Sequence, residues 1–143
     1  MIKNLSEYFL PEQEFYLHKI VYNRIDSITP KEEFSLNCAD NINAEVNENN
    51  EVKIIVTRSL AFDPEEMFRL SVAFGADLKL NPQKVNDYKW NEINLAEEFR
   101  DNGKFVTDNL MSRITLLIAQ ITSSFGQPPI VLPPSVAKPN NES

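Results

Sequence analysis

Few side chains in this sequence have the types and spacing that chemistry requires. His18 is the only histidine; it lies within a strand-like run and has no second imidazole to complete a metal site, so a structural role is expected. Cys38 is the only cysteine. It falls in phase with Leu36 and Ile42, where cysteine behaves as a small hydrophobe, and no histidine stands at a recognisable spacing to activate it. A single cysteine also excludes an internal disulfide and suits a reducing compartment. The acid pairs Glu65-Glu66 and Glu97-Glu98 fall at a turn and near a helix start, where solvation and the helix dipole account for them. Gly75, Gly103 and Gly126 are the only glycines, too few to cradle a phosphate. No catalytic residue, metal site or cofactor is therefore expected, and the chain reads as a non-enzyme.

The charge balance narrows the partners. Fourteen basic against 21 acidic residues give a net charge of −7. Such a surface disfavours nucleic acid and anionic membranes, whose binding relies on clustered Lys and Arg. The longest apolar run, Leu116-Leu117-Ile118-Ala119, is far too short to span a bilayer. No basic segment followed by an apolar run opens the sequence. A cytoplasmic location without membrane insertion is the expectation.

The elements that must position any site follow from periodicity. The 143 residues fit a single domain spanning 1–143, with an N-terminal arm at 1–12 and an extended proline-rich tail at 126–143. Residues 15–28 are β-branched and aromatic on both faces, with Phe15, Leu17, Lys19 and Val21 opposite Tyr16, His18, Ile20 and Tyr22. This fits a strand covered on both sides or paired at an edge, broken by Thr29-Pro30-Lys31. Phe34, Leu36, Cys38, Ile42, Ala44 and Val46 alternate along a second strand, and Val52, Ile54, Val56, Leu60 and Phe62 along a third. Phe68, Leu70, Val72, Phe74, Ala76, Leu78 and Leu80 form a fourth. Asn47-Glu48-Asn49-Asn50 and Asp63-Pro64-Glu65-Glu66 are turns between antiparallel neighbours. Residues 81–94 form a polar connection. Asn94, with Glu97 three residues on, caps a short helix that ends at Asn102-Gly103. The fold class is α+β: about four antiparallel strands with one long and one short helix on one face.

The long helix begins near Thr107 or Asp108 and stops at Gly126. At about 100° per residue, Leu110, Met111, Ile114, Leu117, Ile118, Ile121 and Phe125 share an arc of roughly 120° that faces the sheet. Asn109, Ser112, Leu116, Ala119 and Ser123 recur on the opposite side, and Arg113 is the only charge between Asn109 and Phe125. A charge-free seam of small residues permits close helix approach, and it reads as an oligomer interface in preference to a neutral solvated face. Tyr88, Trp90 and Ile93 interrupt the polar connection. They read as a polypeptide-binding groove, with the alternative that Trp90 pins the connection to its own core. In the tail, Ile130, Val131 and Leu132 stand between prolines that favour extension, and these three could pack along the sheet edge.

Three stretches carry a resemblance to the SecB family of protein-export chaperones. They are Phe15-Tyr16-Leu17-His18-Lys19-Ile20-Val21-Tyr22, similar to the family's opening strand; the antiparallel run from Val52 to Leu80; and the segment after the long helix. That segment, Gly126-Gln127-Pro128-Pro129-Ile130-Val131-Leu132-Pro133-Pro134, is similar to the family's Gly-Phe-Pro-Pro-Leu-x-Leu-x-Pro signature, with Gln127 in place of Phe. The resemblance implies a dimer or dimer of dimers with the helices between two sheets. It also implies ATP-independent holding of unfolded polypeptide clients; the sequence does not distinguish protein export from toxin–antitoxin control or another pathway. Extended clients then lie in apolar grooves beside the sheet, near Tyr88 and Trp90.

The chain also departs from the family. Ser135-Val136-Ala137-Lys138-Pro139-Asn140-Asn141-Glu142-Ser143 stands where the family continues into a further C-terminal helix. Ser71, with Arg69 before it, stands where members that dock on the SecA motor carry an acid, which argues against such docking here. The alternative function is a non-enzymatic adaptor of the same fold that binds one specific protein partner.

Overall fold

The computed structural model describes residues 1–26, 35–64, 67–126 and 128–137. The expected break at Thr29-Pro30-Lys31, the strand position Phe34, the pair Glu65-Glu66 and the substituted Gln127 lie outside the described residues. Four antiparallel strands form one sheet: β1 (Phe9–Arg24), β2 (Ser35–Val46), β3 (Glu51–Asp63) and β4 (Phe68–Leu80). Two helices follow, α1 (Leu95–Asn102) and α2 (Lys104–Ser123). Short 3-10 turns occupy Leu5–Tyr8, Val85–Asp87 and Trp90–Glu92.

Strands β2, β3 and β4 form a meander, and β1 pairs with β4, giving the order β1-β4-β3-β2. This is Greek-key order, so β1 and β2 are opposite edges of the sheet and not neighbours. In the meander the expected faces are the observed ones. Leu36, Cys38, Ile42, Ala44 and Val46 stand opposite Phe62, Leu60, Val56, Ile54 and Val52 across the β2–β3 ladder. Val52, Ile54 and Leu60 stand opposite Leu78, Ala76 and Leu70 across β3–β4. Directly paired residues share a face. Phe99 of α1 and Ile118 of α2 therefore meet one continuous apolar surface, in which Val52, Ile54, Val56, Leu110, Met111 and Ile114 are all buried.

β1 differs from the expectation in two respects. It starts at Phe9, ahead of the expected Phe15. Pro11 lies where the pairing slips between Phe9 and Gln13, as an edge strand allows. More consequentially, Leu17 pairs with Phe74 and Lys19 with Ala73, leaving His18 as one extra residue, a β-bulge. The bulge reverses the phase. Phe15 and Leu17 share the helix side with Ile20 and Tyr22, while Lys19 and Val21 join Tyr16 on the outer side. A strict alternation placed Ile20 and Tyr22 on the wrong face.

The turns and caps follow local chemistry. Asn47 Oδ1 accepts from the N–H groups of Asn49 and Glu51 at 2.8 and 3.1 Å. Asn50 then takes a positive φ of 58°, which asparagine tolerates. Asn94 Oδ1 accepts from Glu97 N–H at 3.2 Å, so α1 has its expected cap. Glu98 accepts from Ile2 N–H at 2.9 Å and clips the N-terminus onto α1. Gly103 joins the helices, and α2 begins at Lys104, earlier than the expected Thr107. A Cβ on Gly103 would press on the Phe99 carbonyl oxygen and lie 2.8 Å from its Cα. At the far end Gly126 has φ +80°, the conformation a helix stop requires.

Candidate polypeptide-binding and assembly surfaces

Three surfaces stand out, two of them expected. The first lies in the connection between β4 and α1. Trp90 is 5% exposed, and its Nε1–H donates to the Val85 carbonyl at 2.9 Å. Its ring meets Tyr8, Tyr88 and Phe9 edge-on at 5.5, 5.5 and 6.1 Å. Trp90 thus pins the connection to the core and offers little surface of its own. Tyr88 is 40% exposed on top of this cluster. Together they line an open groove of about 500 Å³, whose other wall is the β2–β3 turn with Asn47, Glu48 and Asn50. Ile93 is half-buried against the core and is not part of the groove lining. The groove therefore has an aromatic wall and a rim of amide side chains able to pair with a peptide backbone.

The second surface is the outer side of α2. Asn109, Ser112 and Ser123 are exposed, Ala119 is half-buried, and Leu116 is 60% exposed. Arg113 is drawn sideways: its Nε–H donates to Asn109 Oδ1 at 2.7 Å, and its guanidinium lies 4.8 Å from the Phe15 ring centroid on β1. At the other end of the helix Phe125 meets Tyr22 of β1 at 5.2 Å. Between these contacts the β1 side chains Leu17 and Ile20 face the helix side yet remain exposed. The neutral helix face and the apolar edge strand thus form adjoining surface.

The third surface was missed in the sequence. Asp40 and Arg58 interrupt the apolar alternation of β2 and β3 at positions that pair directly with each other, on the helix side. Their side chains are 0% and 2% exposed. The pairing is bidentate, Nε to Oδ1 at 2.7 Å and one terminal nitrogen to Oδ2 at 2.8 Å. Arg58 also donates to the backbone carbonyls of Pro133 and Ser135 at 2.8 and 2.9 Å, and Asp40 accepts from Ala137 N–H at 2.6 Å. The tail begins its crossing at Ile130, whose N–H donates to the buried Thr122 Oγ1 at 2.8 Å. It therefore runs from α2 across the helix side of β3 and β2. Ile130 and Leu132 pack on the core, while Val131 points out. The available signal was two polar residues breaking two apolar stripes in register.

The electrostatics fit these roles. The hydrogen bonds that Arg58 donates to Asp40 outweigh burial and raise the Arg58 pKa, holding the guanidinium charged. Burial raises the Cys38 thiol pKa despite the opposing pull of Arg58, which is opposite to what a nucleophile needs. His18 is exposed at the bulge, edge-on to Tyr16 at 6.5 Å. Among the described residues no group of three or more His, Cys, Asp and Glu side chains could hold a metal ion. No described helix is long and apolar enough to cross a membrane.

No family model matches the sequence, and no curated protein matches it at a significant level. Solved structures do match. The Mycobacterium tuberculosis Rv1957 SecB-like chaperone, in complex with a ChAD peptide from the Rv1956 HigA1 antitoxin, superposes with a TM-score of 0.66. The match is 12% identical and covers 90% of this chain and 91% of that one. A protein of unknown function from Streptococcus agalactiae overlaps with a TM-score of 0.45 at 14% identity, covering 85% and 95%, too low a similarity to argue from. The likeness to the mycobacterial protein is one of fold: this chain is an α+β protein with SecB-like architecture.

Proposed function

We propose that this protein is a SecB-like chaperone that holds unfolded or extended polypeptide without nucleotide and works as a homo-oligomer in the cytoplasm. The observation that carries the reading is a SecB-like fold that leaves apolar and amide-rimmed surface open. Tyr88 and the groove beneath it offer an aromatic wall and backbone-pairing amides to an extended chain. Trp90 supports that wall from within. The structural neighbour's complex with an antitoxin peptide supports polypeptide as the ligand class.

Assembly uses the seam of Asn109, Ser112, Leu116, Ala119 and Ser123 together with the adjoining edge of β1. Covering Leu116, Leu17 and Ile20 there removes apolar surface from water at about 25 cal/mol per Å². It also satisfies the open backbone edge of β1. Docking on a SecA-type motor is not part of the proposal. On the outer face Ser71 Oγ lies 2.9 Å from Ser59 Oγ, and no acid occupies either position.

The test is suppression of aggregation of a reduced, unfolded client by the protein without ATP, with Tyr88→Ala as the site probe. Suppression at near-stoichiometric amounts, weakened by Tyr88→Ala without loss of folding, supports the reading. No effect at tenfold excess contradicts it. A second reading, an adaptor for one partner, is favoured by the neighbour's association with a peptide from a particular antitoxin. It predicts one stoichiometric partner on pull-down and no binding to unrelated unfolded chains.

A further inference from the structure

We infer that the tail-binding channel over Asp40 and Arg58 is a second polypeptide-binding site, occupied in cis by residues 128–137 and opened when an extended client segment displaces them. The inference rests on the chaperone reading for the nature of the displacing ligand. It rests on the structure for the site itself.

The contacts between channel and tail are those of a peptide reader. Arg58 donates to the carbonyls of residues 133 and 135, and Asp40 accepts from the N–H of residue 137. The tail backbone bends at Pro134 and Ser135, and the carbonyls of residues 133 and 135 and the N–H of residue 137 still all reach the clamp, so the backbone is read at three alternate residues. All three contacts are to backbone, so the clamp does not depend on which side chains the peptide carries. The alternate side chains Ile130 and Leu132 pack inward, whereas Val131 is 71% exposed. The channel thus selects an uncharged, non-helical segment with aliphatic residues two apart and a backbone able to bend at the clamp. The clamp is also preformed: both of its side chains belong to neighbouring strands and hold each other through two hydrogen bonds. The tail itself matches the ligand class, with prolines that favour extension and no charge between Gly126 and Ala137. The occupant in trans is therefore an unfolded-chain segment of this chemistry, competing with a tethered tail whose effective concentration is about millimolar.

The experiment uses full-length protein and a fluorescein-labelled synthetic peptide copying residues 128–137. The wild type is compared with a chain carrying Ile130→Ser, Leu132→Ser and Ala137→Pro. These changes weaken both inward contacts and delete the N–H that Asp40 accepts, and they leave the channel residues in place. Anisotropy is expected to show peptide binding at least tenfold tighter in the variant, with a reduced, carboxymethylated polypeptide competing for it. Equal affinity in the two proteins, or no binding to either, overturns the inference. Concentration-dependent dimerisation of the wild type that the tail substitutions abolish would assign the channel to tail exchange between copies, and overturns it too. Aggregation assays on the same proteins separate the two readings. Suppression without peptide binding sinks this site alone, and peptide binding without suppression sinks the general chaperone function alone.

Discussion

Replacing Arg58 with alanine leaves the Asp40 carboxylate fully enclosed with Ala137 N–H as its remaining partner in the clamp, and frees two tail carbonyls. Breaking a buried pair by removing one partner costs about 3–5 kcal/mol, because the other charge stays desolvated. A folded domain is stable by only about 5–15 kcal/mol, so the loss is a large share of the total. For a urea slope of about 1.5 kcal/mol per M, a loss of about 4 kcal/mol lowers the midpoint by about 2.7 M. Trp90, the only tryptophan, lies away from the clamp and reports unfolding by fluorescence, with circular dichroism as a second probe. The double change Arg58→Met with Asp40→Leu removes both charges and refills the volume. It should recover most of that stability, since apolar replacement of a buried pair is often neutral or better. It should still release the end of the tail, which keeps only the Ala137 contact to Asp40 in the single variant and no contact to the clamp in the double one. A midpoint shift below about 0.5 M for Arg58→Ala, or a double variant as unstable as the single one, refutes the reasoning.

Other outcomes are expected on the same basis. Gly103→Ala should cost about 1–3 kcal/mol in urea denaturation, because the added Cβ meets Phe99 backbone atoms that cannot move aside. Leu116→Glu should shift the protein towards monomer in light scattering while its circular dichroism spectrum stays that of the folded chain, since the side chain is exposed in the isolated chain. Cys38 and Tyr16 both have raised pKa values, chiefly through burial. Both are therefore held protonated by folding, and the stability they contribute is present below their unfolded values of about 8.5 and 10 and is lost as pH rises through the folded ones. Denaturation midpoints should accordingly fall as pH rises above about 8.5, and Cys38→Ala should flatten the lower part of that fall.

The legibility of the fold followed how strictly each segment kept its period. β2, β3 and β4 keep one period-2 phase from end to end, broken in polarity only at Asp40 and Arg58, so their buried faces could be read residue by residue. β1 could not, because one extra residue at His18 reverses the phase and nothing in the local composition announces it. The α1 cap at Asn94 was legible because side-chain and backbone groups only three residues apart decide it. The start of α2 was not, since Gly103 serves as the end of one helix and the beginning of the next. Of the expected groove residues, Tyr88 and Trp90 share a wall and Ile93 does not, a distinction set by the short 3-10 turns of the connection. Asp40 and Arg58 looked like lapses in two apolar stripes. Only the pairing of β2 with β3 turns two lapses into one ion pair, and only tertiary structure brings the tail to it.

The central claim is that this chain binds unfolded polypeptide through preformed surface and needs no nucleotide. Isothermal titration of a reduced, carboxymethylated polypeptide into the purified wild-type protein, in buffer without ATP, tests it most directly. The account predicts saturable binding with a dissociation constant in the micromolar range or tighter and a negative heat-capacity change from apolar burial. No detectable binding at about tenfold higher concentrations, to a protein that circular dichroism shows to be folded, would contradict it.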